Sequence, residues 1–90
     1  MKRIHIKIFG KVQGVFYREN TRKKAVSLGL KGFVRNLSDG TVECVSEGPY
    51  DRLKELIGFC KDNPGYSEVT DVKVTEEEFK DEFSDFSITG

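Results

Sequence analysis

The sequence predicts an α+β fold in which two helices lie on one face of an antiparallel sheet. Apolar residues recur at every second position near the start, where Ile4, Ile6 and Ile8 alternate with polar residues, as in a strand with one buried face. A later segment repeats apolar residues at helical spacing, and Asp39-Gly40 between two β-rich segments indicates a hairpin. The predicted order, strand, helix, strand, strand, helix, strand, is the split βαβ arrangement (βαββαβ) with a short extra C-terminal edge strand.

The first half of the chain predicts three strands and one helix. The first strand covers the sequence KRIHIKIF, and a helix follows from about Glu19 to Leu28, with Gly29 at the position of a left-handed C-cap. The hairpin joins a strand from about Lys31 to Asn36 with one from about Thr41 to Glu47. The stretch GKVQGVFYREN, from Gly10 to Asn20, is therefore expected to connect the first strand to the first helix.

The second half predicts one more helix and two more strands. The helix opens at Gly48-Pro49, because proline suits the first helical position, and the Asn63-Pro64-Gly65 turn ends it. Alternating apolar residues then mark a fourth strand and a short final one: Val69, Val72, Val74, Phe86 and Ile88. The acidic EEEFKDEF segment between them is expected to be a solvated connection.

Length and composition favour a single domain, residues 1–90, that folds alone as a monomer. No apolar run approaches the length of a signal or membrane-spanning segment, so we expect a cytoplasmic protein without a membrane partner. Cys44 and Cys60 fall on apolar phases of their elements and are expected to be buried free thiols, a single bridge between them being the alternative. With one histidine, the chain lacks the clustered ligands of a zinc or iron site, and we expect no metal.

The formal net charge of zero hides an asymmetry along the chain. Residues 1–36 hold ten Lys or Arg and one acidic residue, a charge of about +9, whereas residues 37–90 hold five basic and fourteen acidic residues, about −9. Positive charge around the glycine-containing loop favours an anionic partner at that end. The acidic remainder argues against a broad nucleic-acid surface, so no nucleic-acid partner is expected.

The loop between the first strand and the first helix has the composition of a phosphate site. Gly10 and Gly14 permit positive φ and close approach of a ligand to backbone N–H groups, and the following helix adds unpaired amides and its positive dipole end. Arg18 can hold two phosphate oxygens at once. No GK[ST] follows the glycines, and neither cysteine has an arginine six residues on, so this is neither a nucleotide P-loop nor a thiol-phosphatase loop. The alternative is a tight turn with Arg18 as an ordinary surface residue.

Two segments resemble the signature regions of the acylphosphatases: GKVQGVFYR, from Gly10 to Arg18, and GFVRNLSDGTVE, from Gly32 to Glu43. Gly48 is a further match, and the resemblance extends over essentially the whole chain. It implies a ferredoxin-like sandwich that hydrolyses the carboxyl-phosphate anhydride bond of acyl phosphates by direct attack of water, without metal, cofactor or phosphoenzyme. Inorganic phosphate would be both product and inhibitor. The resemblance implies that Arg18 and Asn36 are catalytic and that a backbone loop binds the phosphate: Gln13, Gly14, Val15, Phe16, Tyr17 and Arg18.

The predicted topology agrees with the role that the resemblance gives Asn36. The first and second strands run parallel with the third between them, so the start of the first helix lies at the carboxyl ends of both. Asn36 can then face the loop, where its amide offers an acceptor and donors to an attacking water. The alternative is a residue chosen for the hairpin turn. Because the leaving carboxylate is a weak base, no acid–base pair is required, and the resembling enzymes are thought to pass the water proton to a phosphoryl oxygen.

The remaining residues near the loop are expected to have structural roles. Gln13 is expected to act as a backbone donor, a side-chain contact being the alternative, and Glu19 to stabilise the helix start. His5 is expected to be solvated beside other polar residues, a general base being the alternative. We expect these apolar side chains to pack in the loop or the core: Val12, Val15, Phe16, Tyr17 and Phe33.

A binding module is the rival class, since ferredoxin-like domains also serve in RNA recognition and ligand sensing. Lys31-Gly32-Phe33 imitates the start of an RNA-binding signature, but residues 34–38 lack the aromatics on which bases would stack. An anion-binding domain without activity is a further alternative. So is a carbamoyl-phosphate-handling domain like those in larger hydrogenase-maturation proteins, which the 90-residue length disfavours.

Overall fold

The chain folds into a five-stranded sheet with both helices packed on one face. The computed structural model describes residues 1–62 and 64–90. Its elements are β1 (Lys2–Lys11), α1 (Tyr17–Ser27), β2 (Lys31–Asn36), β3 (Val42–Gly48), α2 (Tyr50–Lys61), β4 (Glu68–Glu77) and β5 (Phe86–Ile88). The strand order is β4-β1-β3-β2-β5. Strand β1 pairs antiparallel with both β3 and β4, and β2 pairs antiparallel with β3. The edge strand β5 pairs parallel with β2. The predicted fold is confirmed, and the parallel edge strand makes the sheet mixed.

The core lies between the helices and one face of the sheet. The isoleucines of β1 are at most 1% exposed, as the alternation predicts, and β1 is flanked by β3 and β4. Each helix buries one face against the sheet. The buried residues are Tyr17, Thr21 and Ala25 of α1 and Leu53, Leu56 and Cys60 of α2. Burying an aliphatic side chain of this size contributes about 1.5–3 kcal/mol, so this layer dominates the stability of the fold. Cys44 and Cys60 are buried free thiols, as predicted.

The helix ends differ slightly from the predicted ones. Helix α1 begins at Tyr17, two residues earlier than expected, and Gly29 beyond its end adopts a left-handed φ of 71°, as predicted. Pro49 is the N-cap of α2 and not its first helical residue: its φ and ψ are extended, and its carbonyl accepts from the Leu53 amide at 3.0 Å. Helix α2 ends at Lys61; of the turn predicted to end it, Asn63 lies outside the described residues.

Gly10 belongs to the sheet and not to the loop, which corrects the prediction. It lies in β1 at a register shift against β4, where the pairing skips a residue. Its φ is 122°, and a Cβ on this residue would lie 2.1 Å from the carbonyl oxygen of Glu68. Only glycine allows the two backbones to come this close. The connection from β1 to α1 is therefore short, residues 12–16.

The face of the sheet away from the helices is partly covered by the acidic segment, which was predicted to be solvated. Arg3 on β1 is 8% exposed and pairs with Glu47 on β3, at 3.5 Å between Nη1 and Oε2. It also pairs with Glu77 at 2.9 Å and with Glu82 of the segment. The amide of Lys80 donates to Glu47 at 2.8 Å, which ties the segment to the sheet.

Phe33 lies on this same face, so its placement in the core was wrong. It is half-buried on β2, and its ring meets that of Phe83 edge to face, with centroids 5.9 Å apart. The guanidinium group of Arg35 lies 5.7 Å from the Phe33 ring centroid, and that of Arg3 lies 5.2 Å from the Phe83 centroid. The two rings therefore form a second, smaller packing centre under the C-terminal segment.

Neither α1 nor α2, the helices of the described part of the chain, is long and apolar enough to cross a membrane.

Candidate active site

The short loop between β1 and α1 is anchored by buried side chains and turned by two left-handed residues. Val12 and Val15 point into the core, while Gly14 has φ 73° and Phe16 has φ 63°. A Cβ at Gly14 would meet no atom within 4 Å, so the backbone conformation, and not lack of space, favours glycine there. The loop thus exposes backbone between two fixed points.

The start of α1 presents unpaired backbone amides next to this loop. The first hydrogen bond of the helix runs from the Asn20 amide to the Phe16 carbonyl at 3.1 Å. The amides of Tyr17, Arg18 and Glu19 precede it and have no partner within the helix, and no side chain caps Phe16 in the described structure. These donors and the positive end of the helix dipole favour an anion.

Arg18 faces a cavity of about 310 Å³ that Gly14, Phe16, Glu19 and Ile88 also line. It is half-buried, and within residues 1–62 and 64–90 it forms neither an ion pair nor a hydrogen bond. Glu19, by contrast, is paired with Arg22 one turn along the helix, as expected of a residue that stabilises the helix start. Arg18 is therefore a cation available to a ligand.

Part of the positive charge predicted to surround the loop is neutralised by acidic side chains. Lys7 pairs with Asp39 at 3.0 Å, and Arg35 pairs with Glu43 at 2.6 Å. Arg3 is held by three carboxylates on the open face of the sheet. Part of the asymmetry along the sequence is thus a pairing between the two halves of the chain, in which Arg18 takes no part.

Asn36 ends β2 and shares a face with Val34, which is fully buried toward the helices. Its Oδ1 atom is buried and has no hydrogen-bond partner among the described residues. Asn36 does not line the Arg18 cavity, but it lies at the same edge of the sheet, because β1 and β2 run parallel on either side of β3. A buried acceptor without a donor is rare in folded proteins and needs an explanation.

The side chain of Gln13 joins the loop to the turn that follows Asn36, a role that sequence reasoning missed. Its Nε2 donates to the carbonyl of Leu37 at 2.7 Å and to that of Thr41 at 2.9 Å. We call this pair of hydrogen bonds the Gln13 clamp. The signal was present, because Gln13 is a lone amide among apolar loop residues.

The turn that receives the clamp is itself fixed by Asp39. The carboxylate accepts from both the hydroxyl and the amide of Thr41, the latter at 3.0 Å, and pairs with Lys7. These interactions, those from Thr41 foremost, lower the pKa of Asp39 to about 2. The turn is therefore held in one conformation at neutral pH.

Of the loop side chains predicted to pack inside, all but one do so. Val12, Val15 and Tyr17 are buried, and the Tyr17 hydroxyl donates to the Cys60 carbonyl at 2.9 Å. Burial raises the pKa of Tyr17, so it stays a neutral donor. Phe16 is the exception: 70% of it is exposed, and the prediction for it was wrong.

His5 is half-buried and not simply solvated as predicted. Its Nε2 lies 2.8 Å from Oε2 of Glu43, on the face of the sheet away from the helices. It is therefore separated by the sheet from Asn36 and the start of α1, and it has no place in the candidate site.

Comparison with known proteins identifies the family. A model described as Acylphosphatase matches residues 4–88. The chain belongs to the acylphosphatase family. The acylphosphatase of Syntrophus aciditrophicus (strain SB) is 46% identical over 88 residues, which cover 98% of this chain and 92% of that relative. The crystal structure of acylphosphatase from Bacillus subtilis is 36% identical, covers all of both chains and has a TM-score of 0.95.

The family shows that the chain is an acylphosphatase hydrolase, acting on acyl phosphates, with a ferredoxin-like fold. The RNA-binding alternative is therefore set aside. A full-length HypF crystallised in a phosphate- and nucleotide-bound form is also similar, at 33% identity and a TM-score of 0.86, over 99% of this chain but only 12% of that protein.

Proposed function

We propose that this acylphosphatase holds the phosphoryl group of its substrate on the loop from Gln13 to Arg18 and uses Asn36 to place the attacking water. One observation carries the proposal. Among residues 1–62 and 64–90, Arg18 is a cation without a partner and Asn36 Oδ1 is a buried acceptor without a donor, and both lie at the same edge of the sheet. The Gln13 clamp fixes the loop that leads to Arg18 against the turn that follows Asn36.

The phosphoryl group is bound by neutralising its charge without a metal. The amides of Tyr17, Arg18 and Glu19 donate to its oxygens, and the helix dipole adds positive potential. The guanidinium group of Arg18 binds two of these oxygens at once. Such fixed donors stabilise charge that spreads over the phosphoryl oxygens in the transition state, which is where most of the catalysis comes from.

The water is held by the side-chain amide of Asn36. Its Oδ1 accepts a hydrogen bond from the water and orients the water oxygen toward phosphorus. The water oxygen forms a bond to phosphorus as the bond from phosphorus to the acyl oxygen breaks, and the electron pair of that bond leaves with the carboxylate. One proton of the water passes to a phosphoryl oxygen, so the products are a carboxylate and inorganic phosphate, which competes with substrate for the same loop. Since the leaving carboxylate is a weak base, no protein acid is needed.

We further propose that residues 1–90 act as a single acylphosphatase domain, a cytoplasmic monomer whose site is complete within one chain. The family model matches residues 4–88, which supports the single domain.

The test compares Arg18 and Asn36, whose replacements should fail in different ways. Arg18→Ala should weaken inhibition by inorganic phosphate and lower kcat, and Arg18→Lys should restore the charge without the planar fork. Asn36→Ala should lower kcat by about 10²- to 10³-fold, the cost of losing one preorganised polar group, with little change in phosphate inhibition. The assay is hydrolysis of benzoyl phosphate in the presence of chelator, with inhibition constants for phosphate and circular dichroism for each variant.

Arg52→Ala is the matched control, because Arg52 lies on α2 away from the loop and is solvent-exposed. Normal turnover by Asn36→Ala would refute the placement of the water. Unchanged phosphate inhibition in Arg18→Ala would refute the phosphate site. Activity that required added divalent metal would refute the mechanism as a whole.

A further inference from the structure

The cavity beside Arg18 has two chemically different walls. Gly14 and Arg18 form a polar wall that continues into the amides of the loop. Phe16 and Ile88 form an apolar wall. Phe16 is 70% exposed and Ile88 38% exposed, although large apolar side chains are ordinarily buried. Two exposed apolar groups at the rim of a cavity mark a surface for a ligand more strongly than scattered ones do.

The backbone holds Phe16 in this exposed position. Its φ of 63° and ψ of 18° are left-handed values that side chains other than glycine rarely adopt. The neighbours on either side, Val15 and Tyr17, are both buried, so the ring between them is directed outward. On the other side, Ile88 follows the buried Phe86 by two residues in β5 and shares its helix-side face.

An acyl phosphate has two ends, and the polar wall accounts for only one of them. With the phosphoryl group on the loop, the acyl group must project into the cavity toward its rim. A space of about 310 Å³ is large enough for a ring, and an exposed aromatic side chain stacks well on a planar group. Glu19 lines the same cavity and is paired with Arg22, so once Arg18 holds the phosphoryl group the described lining offers no cation to a second negative charge on the acyl group.

We propose that Phe16 and Ile88 bind the acyl group, and that the chain prefers acyl phosphates with an uncharged apolar acyl group, aromatic or branched, over acetyl phosphate and over acyl phosphates with a second carboxylate. The inference rests on the proposed phosphate site and adds the substrate class to it.

The experiment measures kcat/KM for benzoyl, acetyl and succinyl phosphate, which differ in the size and charge of the acyl group. Phe16→Ala should lower the ratio of benzoyl to acetyl phosphate by about 5- to 20-fold, the range for losing apolar contacts in a specificity pocket. Ile88→Lys should raise the ratio of succinyl to benzoyl phosphate by about fivefold or more, because it places a cation at the rim. Phe79→Ala is the matched control: Phe79 is also exposed at 38%, lines a different cavity, and its loss should leave all ratios unchanged.

The inhibition constant for inorganic phosphate separates this proposal from the one on which it rests, because phosphate has no acyl group. If the parent hydrolyses the three substrates and phosphate inhibits it, yet neither variant changes the ratios, the acyl surface is refuted and the phosphate site stands. If the parent hydrolyses none of them and phosphate does not inhibit, both proposals fail. Should Phe16→Ala lose its circular dichroism signal, the ratio measured with Ile88→Lys decides alone.

Discussion

Replacing Gln13 with Met removes both hydrogen bonds of the Gln13 clamp and keeps the length of the side chain. The two carbonyls that accept them do not become fully unpaired: the Leu37 carbonyl still accepts from the Gly40 amide at 3.2 Å, and the Thr41 carbonyl from the Leu37 amide at 2.9 Å. A neutral hydrogen bond contributes about 0.5–1.5 kcal/mol, and no orphaned acceptor adds to the loss. Because two such bonds are lost, we expect the free energy of unfolding to fall by about 1–3 kcal/mol.

The effect on catalysis should exceed the effect on phosphate binding. Arg18 and the amides proposed to bind phosphate belong to the loop and to α1, so we expect them to move together when the clamp is lost. Asn36 precedes the turn at the other end of the clamp, so loss of the clamp can shift Asn36 relative to Arg18. A shift of about 1 Å between reacting groups can lower the rate by as much as 10²-fold. We expect kcat for benzoyl phosphate to fall by about 10- to 100-fold, with the inhibition constant for phosphate within about threefold of the parent.

Urea unfolding, kcat and the phosphate inhibition constant should be measured for Gln13→Met and for Gln13→Glu. The glutamate keeps the shape of the side chain but faces two carbonyls with a carboxylate, so its losses should be larger. If Gln13→Met lost stability but kept the parent kcat, the clamp would have no part in positioning Asn36. If phosphate inhibition weakened in step with kcat, the clamp would shape the loop itself and not its distance from Asn36.

Two further predictions follow from buried groups away from the site. Burial alone would raise the pKa of Glu47, but hydrogen bonds from the Lys80 amide and from Arg3 outweigh it and hold the pKa below its ordinary value of 4.5. The stability that Glu47 contributes is therefore present above pH 4.5 and lost as the pH falls through the lower folded-state pKa. The urea midpoint of the parent should decline over that pH range. A Glu47→Gln variant whose midpoint declined equally steeply would contradict the assignment. Burial raises the pKa of the Cys60 thiol to about 11 and that of Cys44 well above its ordinary value. A thiol reagent at pH 8 should therefore label neither cysteine in the native protein and both in urea, and turnover should survive Cys→Ala at each position. Fast labelling of the native protein, or loss of turnover in a folded variant, would contradict this.

The sequence predicted those elements whose signals are local. The alternation in β1, the hairpin at Asp39-Gly40 and the left-handed cap at Gly29 are each decided by a few neighbouring residues, and all are confirmed. Gly10 carried a usable signal that was read wrongly. An isolated glycine at the end of a strand pattern also indicates a bulge or a close backbone contact, and here it has both.

The errors concern contacts between residues far apart in the chain. Phe33 and Arg3 lie on the open face of the sheet, and Phe83 and Glu82 cover them from about fifty to eighty positions further along the sequence. Nothing local in EEEFKDEF distinguishes a segment that packs from one that is solvated. The partners could be inferred only once the strand faces are known, because an aromatic ring and an arginine on one face need such partners.

Phe16 shows why the surface proposed to bind the acyl group could not be predicted from the sequence. An apolar residue between two others that are buried is ordinarily buried as well, and that prior holds for Val15 and Tyr17. The expectation fails at Phe16 because the chain turns there through a left-handed backbone conformation. A phenylalanine in the sequence gives no indication of that conformation. The proposed phosphate site, by contrast, could be inferred from the sequence, since glycine and arginine at a helix start indicate anion binding by their residue types alone.

The sequence favoured an anionic partner because basic residues are concentrated in the first half of the chain, whereas the structure favours one because Arg18 lies beside unpaired amides. Had the basic residues of the first half remained unpaired, the edge of the sheet would attract any anion, and the site would have little means of choosing among them. Instead Lys7 and Arg35 are neutralised by acidic residues of the second half, and Arg18, at the start of α1, is left free to bind. A single unpaired guanidinium group beside the unpaired amides that open α1 matches one phosphoryl group better than an extended polyanion. The pairing of the two halves of the chain therefore contributes to specificity as well as to stability, because it lowers the attraction of anions to Lys7 and Arg35 relative to the proposed site at Arg18.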